Sequence, residues 1–233
     1  MIEVHAMRIP DACLKGSLEA PLRLVPEETR ARTLRFLRPE PAAQTLFGAI
    51  LTRAILCRKL DIPASQIAFA AGPNGKPHLA GRSGIEFNMS HSGRWVALAV
   101  APDPVGVDVE SVRGIDLGLA DRFFAPEEAA ELNALPESGR PSFFFSLWTL
   151  KESFLKAHGT GLAQPLNSFR IERGPDGTIR ASRAGVPMPW LHFRQYLIEE
   201  SCFLSVCAQA ENFAEAPSFH TLEELSGALT AQQ

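Results

Sequence analysis

Hydrophobic and polar positions alternate over residues 2–7, which predicts a β-strand at the start of the chain. Residues 26–37 predict a helix, with Glu27 and Glu28 in the first turn, where carboxylates suit the helix dipole. A longer helix is predicted over about 42–60, because Leu46, Ile50, Ala54 and Cys57 recur at helical spacing. Residues 67–70 and the stretch around His78 read as short strands joined by the turn Gly72-Pro73-Asn74-Gly75. Two further strands, 85–89 and 95–101, are separated by the polar run Ser90-His91-Ser92-Gly93-Arg94. Pro102-Asp103-Pro104 then breaks the chain and a strand starts at Gly106. Helical stretches near 116–122 and 126–135 precede a long helix over 141–158. Strands at 169–173 and 178–182 flank the hairpin signal Gly174-Pro175-Asp176-Gly177. Strands at 191–198 and 203–208 and a short helix over 222–229 follow.

The two halves run through one order: a strand, helices ending in the longest, a turn-linked hairpin and two more strands. This predicts an α+β fold of two similar lobes related by pseudo-two-fold symmetry. The N-terminal lobe is expected over 1–103 and the C-terminal lobe, with a C-terminal tail, over 104–233. Pseudo-symmetric lobes bury a face against each other, and the cleft between them is a usual place for a ligand.

Composition narrows the function classes. The chain has 233 residues, 45% apolar and 21% charged, which fits an ordinary soluble globular protein and excludes disorder, collagen and coiled coil. Its 23 basic and 26 acidic residues leave a net charge of −3, against a basic nucleic-acid-binding surface. Glu3 stands where a signal peptide would be positive, and the longest clean apolar runs, such as 96–101, are strand length. A cytoplasmic protein with no membrane anchor is expected. Cys13, Cys57, Cys202 and Cys207 form no C-x-x-C pair and read as buried free thiols.

Four segments carry candidate chemistry. In Gly106-Val107-Asp108-Val109-Glu110, strand alternation sends the valines to the core and both carboxylates to the other face. Two residues along a strand span roughly 6.6 Å, so both acids can reach one cation with ligands at about 2.1 Å. Hard oxygen donors favour magnesium or manganese over zinc; a strand edge with two solvated charges is the alternative. On the long helix, Phe143, Leu147, Leu150, Phe154 and Ala157 form an apolar stripe. Glu152 and Lys156 lie nearly opposite it, flanked by Trp148 and Leu155, so this helix is expected between layers; an i,i+4 surface ion pair is the ordinary alternative. Asn88-Met89-Ser90-His91-Ser92 follows a strand, and a plain polar turn is the alternative. Adjacent Ser90 and His91 point apart, making a poor nucleophile–base pair but a fair anion contact. Gly75-Lys76-Pro77 puts a lysine in a turn, and Arg32 and Arg35 lie on the first predicted helix. Together, three acids, several cations and no covalent nucleophile point to metal-assisted chemistry at a pyrophosphate or phosphate ester.

In order along the chain, Gly75-Lys76-Pro77, Asn88-x-Ser90-His91-Ser92, Gly106-Val107-Asp108-Val109-Glu110 and Trp148-x-x-Lys151-Glu152-x-x-x-Lys156-x-x-Gly159-x-Gly161-Leu162 resemble the signature series of the Sfp-type 4′-phosphopantetheinyl transferases. The resemblance extends over most of the chain, including 26–48 and Pro165-Leu166-x-Ser168-Phe169. It implies the two-lobed transferase fold with the active site at the lobe interface. It further implies that the 4′-phosphopantetheine of coenzyme A passes to a serine of an apo acyl or peptidyl carrier protein, with release of 3′,5′-ADP and with Mg2+ (or Mn2+) bound. By the same resemblance, Asp108, Glu110 and Glu152 match metal ligands and Lys156 matches the pyrophosphate lysine. Arg32, Thr45, Lys76, Ser90 and His91 match coenzyme A contacts, and Glu152 is the favoured base. Thr29 and Gln44 depart from the basic residues related sequences often carry. A monomer is expected, since the two lobes lie in one chain. A carrier surface is expected to find apolar residues and some Arg, for which Leu117, Leu119, Arg122, Phe123 and Phe124 are candidates, although the phenylalanines suit a buried helix better. The rival readings are a metal-dependent phosphohydrolase or nuclease, in which acid and lysine commonly sit two apart on a strand, and a non-catalytic coenzyme A or carrier-binding module.

Overall fold

The computed structural model of the chain describes residues 1–72, 75–82, 84–159 and 164–230. The predicted residues Pro73, Asn74, Gly161 and Leu162 fall outside these ranges. The first half begins with strand β1 (Glu3–Arg8) and two one-turn helices, α1 (Asp11–Leu14) and α2 (Glu19–Leu22). Helix α3 (Glu27–Leu34) follows, then α4 (Pro39–Leu60), which starts on proline and ends at Asp61 in the left-handed conformation (φ 52°). A small hairpin, β2 (Phe69–Ala71) and β3 (Pro77–Leu79), leads to the pair β4 (Glu86–Ser92) and β5 (Trp95–Ala101). The second half repeats this plan. Strand β6 (Val105–Ser111), α5 (Leu119–Phe123), α6 (Pro126–Ala134) and the long α7 (Arg140–His158) come first. The ribbon β7 (Arg170–Arg173), β8 (Ile179–Arg183) and β9 (Val186–Pro187) precedes the pair β10 (His192–Glu199) and β11 (Cys202–Ala208). A tail of β12 (Ser218–His220) and α8 (Leu222–Thr230) closes the fold.

Strand pairing makes the repeat explicit. In the first half β1 pairs antiparallel with β5, and β5 with β4. In the second, β6 pairs antiparallel with β11, and β11 with β10. Alternation along the strands then creates two faces per sheet. Phe87, Val96, Leu98 and Val100 face α4, which is apolar around most of its circumference, as a helix packed under a sheet must be. Trp95, Ala97, Ala99, Val107, Val109, Leu204 and Val206 form a separate core between the two sheets. On the far side α7 packs Leu147, Leu150, Phe154 and Ala157 into the third core. The order of layers is helix, sheet, sheet, helix, which makes the fold α+β with the lobes joined sheet to sheet.

At one joint the edge strands β4 and β6 lie side by side, tied by side chains rather than by a ladder. Asn88 Oδ1 accepts from the Val107 N–H (2.9 Å) and Ser90 Oγ from the Val109 N–H (3.4 Å). On the other side of the sheets the tail intervenes. The Ile2 N–H donates to Asn212 O, Tyr196 Oη donates to Ala214 O, and β12 adds a parallel strand to β1. Chain order assigns this tail to the second lobe, yet its strand and α8 sit on the first. The β4–β6 joint is thus lined by polar side chains of both halves, Asn88, Ser90 and Ser92 facing Asp108 and Glu110. No helix among the described residues is long and apolar enough to cross a membrane.

Candidate active site

The site is built outward from Gly106. A Cβ there would stand 2.0 Å from Ser153 O and 2.3 Å from Ala157 N, so its absence lets α7 lie directly on β6. That approach carries Glu152 and Lys156 over the polar face of β6, while Val107 and Val109 anchor the opposite face in the inter-sheet core. Lys156 Nζ donates to Asp108 Oδ1 (2.6 Å) and to Ser90 Oγ (2.9 Å), and Ser90 Oγ in turn donates to Asp108 Oδ1 (2.8 Å). Two residues further along both strands, Ser92 Oγ donates to Glu110 Oε2 (2.5 Å), as does Arg113 Nη1 (2.6 Å). Arg113 is held by packing its guanidinium 4.7 Å over the Phe145 ring.

Charge is concentrated here. Asp108 is only 5% exposed, and its Oδ2 is buried without a hydrogen-bond partner. Burial pushes the Asp108 carboxyl above the usual range, outweighing the Lys156 ammonium that draws it down. Glu152 is also pushed up, first by burial, then by the Asp108 and Glu110 carboxylates, with Lys156 opposing. The His91 imidazole is pushed down by burial and by the Lys156 charge. Glu152 thus feels the charge of both β6 carboxylates.

Among the described residues no three acidic, histidine or cysteine side chains close into a ready-made metal site. Lys156 and Arg113 instead take the Asp108 and Glu110 oxygens. The donor set still suits a hard divalent cation: carboxylate oxygens only, an orphaned buried oxygen on Asp108, and mutual repulsion that a cation would relieve.

The remaining predicted residues fall into two groups. Ser90 belongs to the cluster, whereas His91, adjacent on β4, is exposed and meets it only through the charges of Lys156 and Glu110. Thr45 lies half-buried on α4 beside Gln44, whose amide donates to Gly93 O (2.9 Å) in the turn between β4 and β5; Arg32 sits in the last turn of α3. The cluster's hydrogen bonds and ion pairs do not include Thr45 or Arg32. Lys76 Nζ donates to two backbone carbonyls, Val105 O (3.0 Å) and Lys156 O (2.9 Å). Of the carrier-surface candidates, Phe124 is buried and Phe123 packs edge-on against Trp148 (5.6 Å).

Besides Arg113, the full extent of β4 and the role of Lys151 are absent from the sequence reading. The run 90–92 reads as a turn, but β4 continues through Ser92 and only Gly93 and Arg94 turn. The signal is available: Asn88, Ser90 and Ser92 recur at strand spacing on one face. The second is Lys151, fully buried beside Glu152. Its Nζ donates to Glu128 (2.7 Å), Leu166 O (3.0 Å) and Phe169 O (2.6 Å). Glu128 also accepts the Ala125 N–H at the start of α6 (2.8 Å) and the Ile171 N–H (2.7 Å). Adjacent residues on α7 therefore divide the labour, Lys151 locking the lobe interior and Glu152 facing the joint.

Comparison with known proteins shows the family. The family described as "4'-phosphopantetheinyl transferase superfamily" matches residues 104–207, and "4'-phosphopantetheinyl transferase, N-terminal" matches 14–103. The 4'-phosphopantetheinyl transferase Sfp of Bacillus subtilis is 33% identical over 88% of this chain and 91% of its own length. The 4'-phosphopantetheinyl transferase HetI of a Nostoc species is 37% identical over 93% and 91%. A crystal structure of holo-[acyl-carrier-protein] synthase from Neisseria meningitidis aligns with 45% of this chain and 94% of its own, at 19% identity and a TM-score of 0.38. With both halves matched in turn and full-length relatives of this similarity, the chain belongs to the 4′-phosphopantetheinyl transferase family.

Proposed function

We propose that this transferase moves the 4′-phosphopantetheine group of coenzyme A to a serine hydroxyl of an apo acyl or peptidyl carrier protein at the β4–β6–α7 joint. The observation that carries the reading is the convergence of Ser90 from one lobe with Asp108 and Lys156 from the other, under Glu152. The serine Oγ–H gives its proton to a base as Oγ bonds to the β-phosphorus. The bond from that phosphorus to the α-phosphate oxygen breaks, and 3′,5′-ADP leaves.

Roles follow from position. Without a metal, burial and two neighbouring carboxylates raise the proton affinity of Glu152, which suits a base; as a metal ligand it would be the weaker base. Lys156, with its ammonium at the centre of the cluster, suits charge neutralisation on the pyrophosphate oxygens. Ser90, His91, Thr45 and Arg32 are assigned to coenzyme A, Arg32 as a cation for phosphate. Asp108, Glu110 and Glu152 would hold magnesium or manganese, which supplies further neutralisation of the pyrophosphate when bound. Both sides of the joint come from one chain, so a monomer suffices, and four buried free thiols suit the reducing cytoplasm.

Family membership favours transfer over the nuclease and the non-catalytic alternatives. The test is intact-mass analysis of an apo carrier protein incubated with the enzyme, coenzyme A and magnesium. Addition of one phosphopantetheine, abolished by excess chelator, is expected. An unmodified carrier, or modification undiminished in chelator, contradicts the reading.

A further inference from the structure

Lys76 follows Gly75, which takes a positive φ (79°). Its half-buried side chain crosses from the first half to the second and ends on two carbonyls, Val105 O and Lys156 O. Val105 opens β6. Lys156 lies in the last turn of α7, where helix carbonyls lack partners within the helix and a cation complements the dipole.

These contacts close a ring. The Lys76 ammonium holds the Lys156 backbone, the Lys156 side chain holds Asp108, Asp108 lies on the same strand as Val105, and Val105 O returns to Lys76. We infer that Lys76 is a positioning residue, a cross-lobe cap on α7 that fixes the distance between the Lys156 ammonium and Asp108. A lysine that binds phosphate directly would instead present its ammonium to the ligand and contribute chiefly to affinity. Burial also lowers the Lys76 proton affinity, which agrees with an ammonium whose solvation has been replaced by fixed carbonyl dipoles. The kinetic part of the inference rests on the transferase reading; the part concerning α7 does not.

Lys76→Met keeps the aliphatic stem and removes the donor, and Lys76→Arg keeps a cation within reach of the same carbonyls. Three quantities separate the roles: kcat and KM for coenzyme A, amide exchange in the last turn of α7 without ligand, and the unliganded Tm. For Lys76→Met, kcat is expected to fall about tenfold with KM for coenzyme A within about twofold. Exchange in the last turn should accelerate about tenfold. The Tm should drop by about 4 °C. Lys76→Arg should recover most of each change. A KM raised about tenfold at parental kcat, with α7 exchange and Tm unmoved, overturns the inference in favour of a direct phosphate contact. If the parent protein transfers nothing, the transferase reading fails, and the ligand-free exchange still decides for or against the cap.

Discussion

Replacing Gly106 by alanine tests how the site is assembled. The added Cβ would meet Ser153 O at 2.0 Å, Ala157 N at 2.3 Å and Lys156 C at 2.9 Å, all backbone atoms of α7 that cannot rotate away. Relief to an ordinary contact of 3.4 Å requires β6 and α7 to part by 3.4 − 2.0, about 1.4 Å. Added to the 2.6 Å between Lys156 Nζ and Asp108 Oδ1, that opens the pair to about 4.0 Å, beyond hydrogen-bonding reach. Overpacking of this kind costs about 1–3 kcal/mol, and a charged hydrogen bond contributes about 1.5–3 kcal/mol more. Misplacing catalytic groups by about 1 Å can cost about a hundredfold in rate. Urea unfolding should thus show a loss of at least about 2 kcal/mol, and carrier modification followed by intact mass should slow about a hundredfold. Gly227, exposed in α8, is the control, because a Cβ added there would meet nothing within 4 Å. Alanine there should stabilise by about 0.5–1 kcal/mol. A Gly106→Ala protein with parental stability and rate would refute the packing argument outright.

Other outcomes follow from the same contacts. Because burial makes the ionised Asp108 carboxyl unfavourable in the fold, Asp108→Asn should leave the Tm of the unliganded protein unchanged or higher while abolishing transfer; a marked loss of Tm would show the acid to be structural. Lys151→Met strands the Glu128 carboxylate inside the second lobe and should cost about 3–5 kcal/mol in urea unfolding. Adding Glu128→Leu should recover only part, since two backbone N–H groups lose their acceptor; a cost under about 1 kcal/mol would contradict this. His5 is pushed down to about 4 from 6.5, by burial first and then by His220, against the Glu3 carboxylate. The unfolded chain therefore takes up a proton that the fold refuses, so this contribution is complete above pH 6.5 and is lost as pH falls to about 4. The loss amounts to about 3 kcal/mol, and urea midpoints should decline over that window in the parent but less steeply in His5→Asn; equal slopes would exclude His5 as the source.

Most of this architecture is legible in the sequence because the long elements are strongly patterned. Trp95–Ala101 is apolar on both faces and proves to be covered on both, by α4 and by the second sheet. The alternation of Val107, Asp108, Val109 and Glu110 likewise puts the acids where strand geometry demands. What stayed hidden depends on contacts distant in sequence. One-turn helices such as Asp11–Leu14 are too short to show a period, and Ser218–His220 becomes a strand only because β1 offers it an edge. Nothing near Lys151 in sequence marks its burial, which depends on Glu128 and the carbonyls of Leu166 and Phe169. Arg113 joins the site only because Phe145, from another element, holds its guanidinium.

The central claim is that carboxylates of β6 and α7 serve one cation and one pyrophosphate at the β4–β6 joint. A crystal structure of the protein with coenzyme A and magnesium tests it directly. The account predicts a single ion held by Asp108, Glu110 and Glu152, with Lys156 turned from Asp108 to the pyrophosphate. A pyrophosphate bound away from this joint, or the three carboxylates directed to separate regions of solvent, would contradict it.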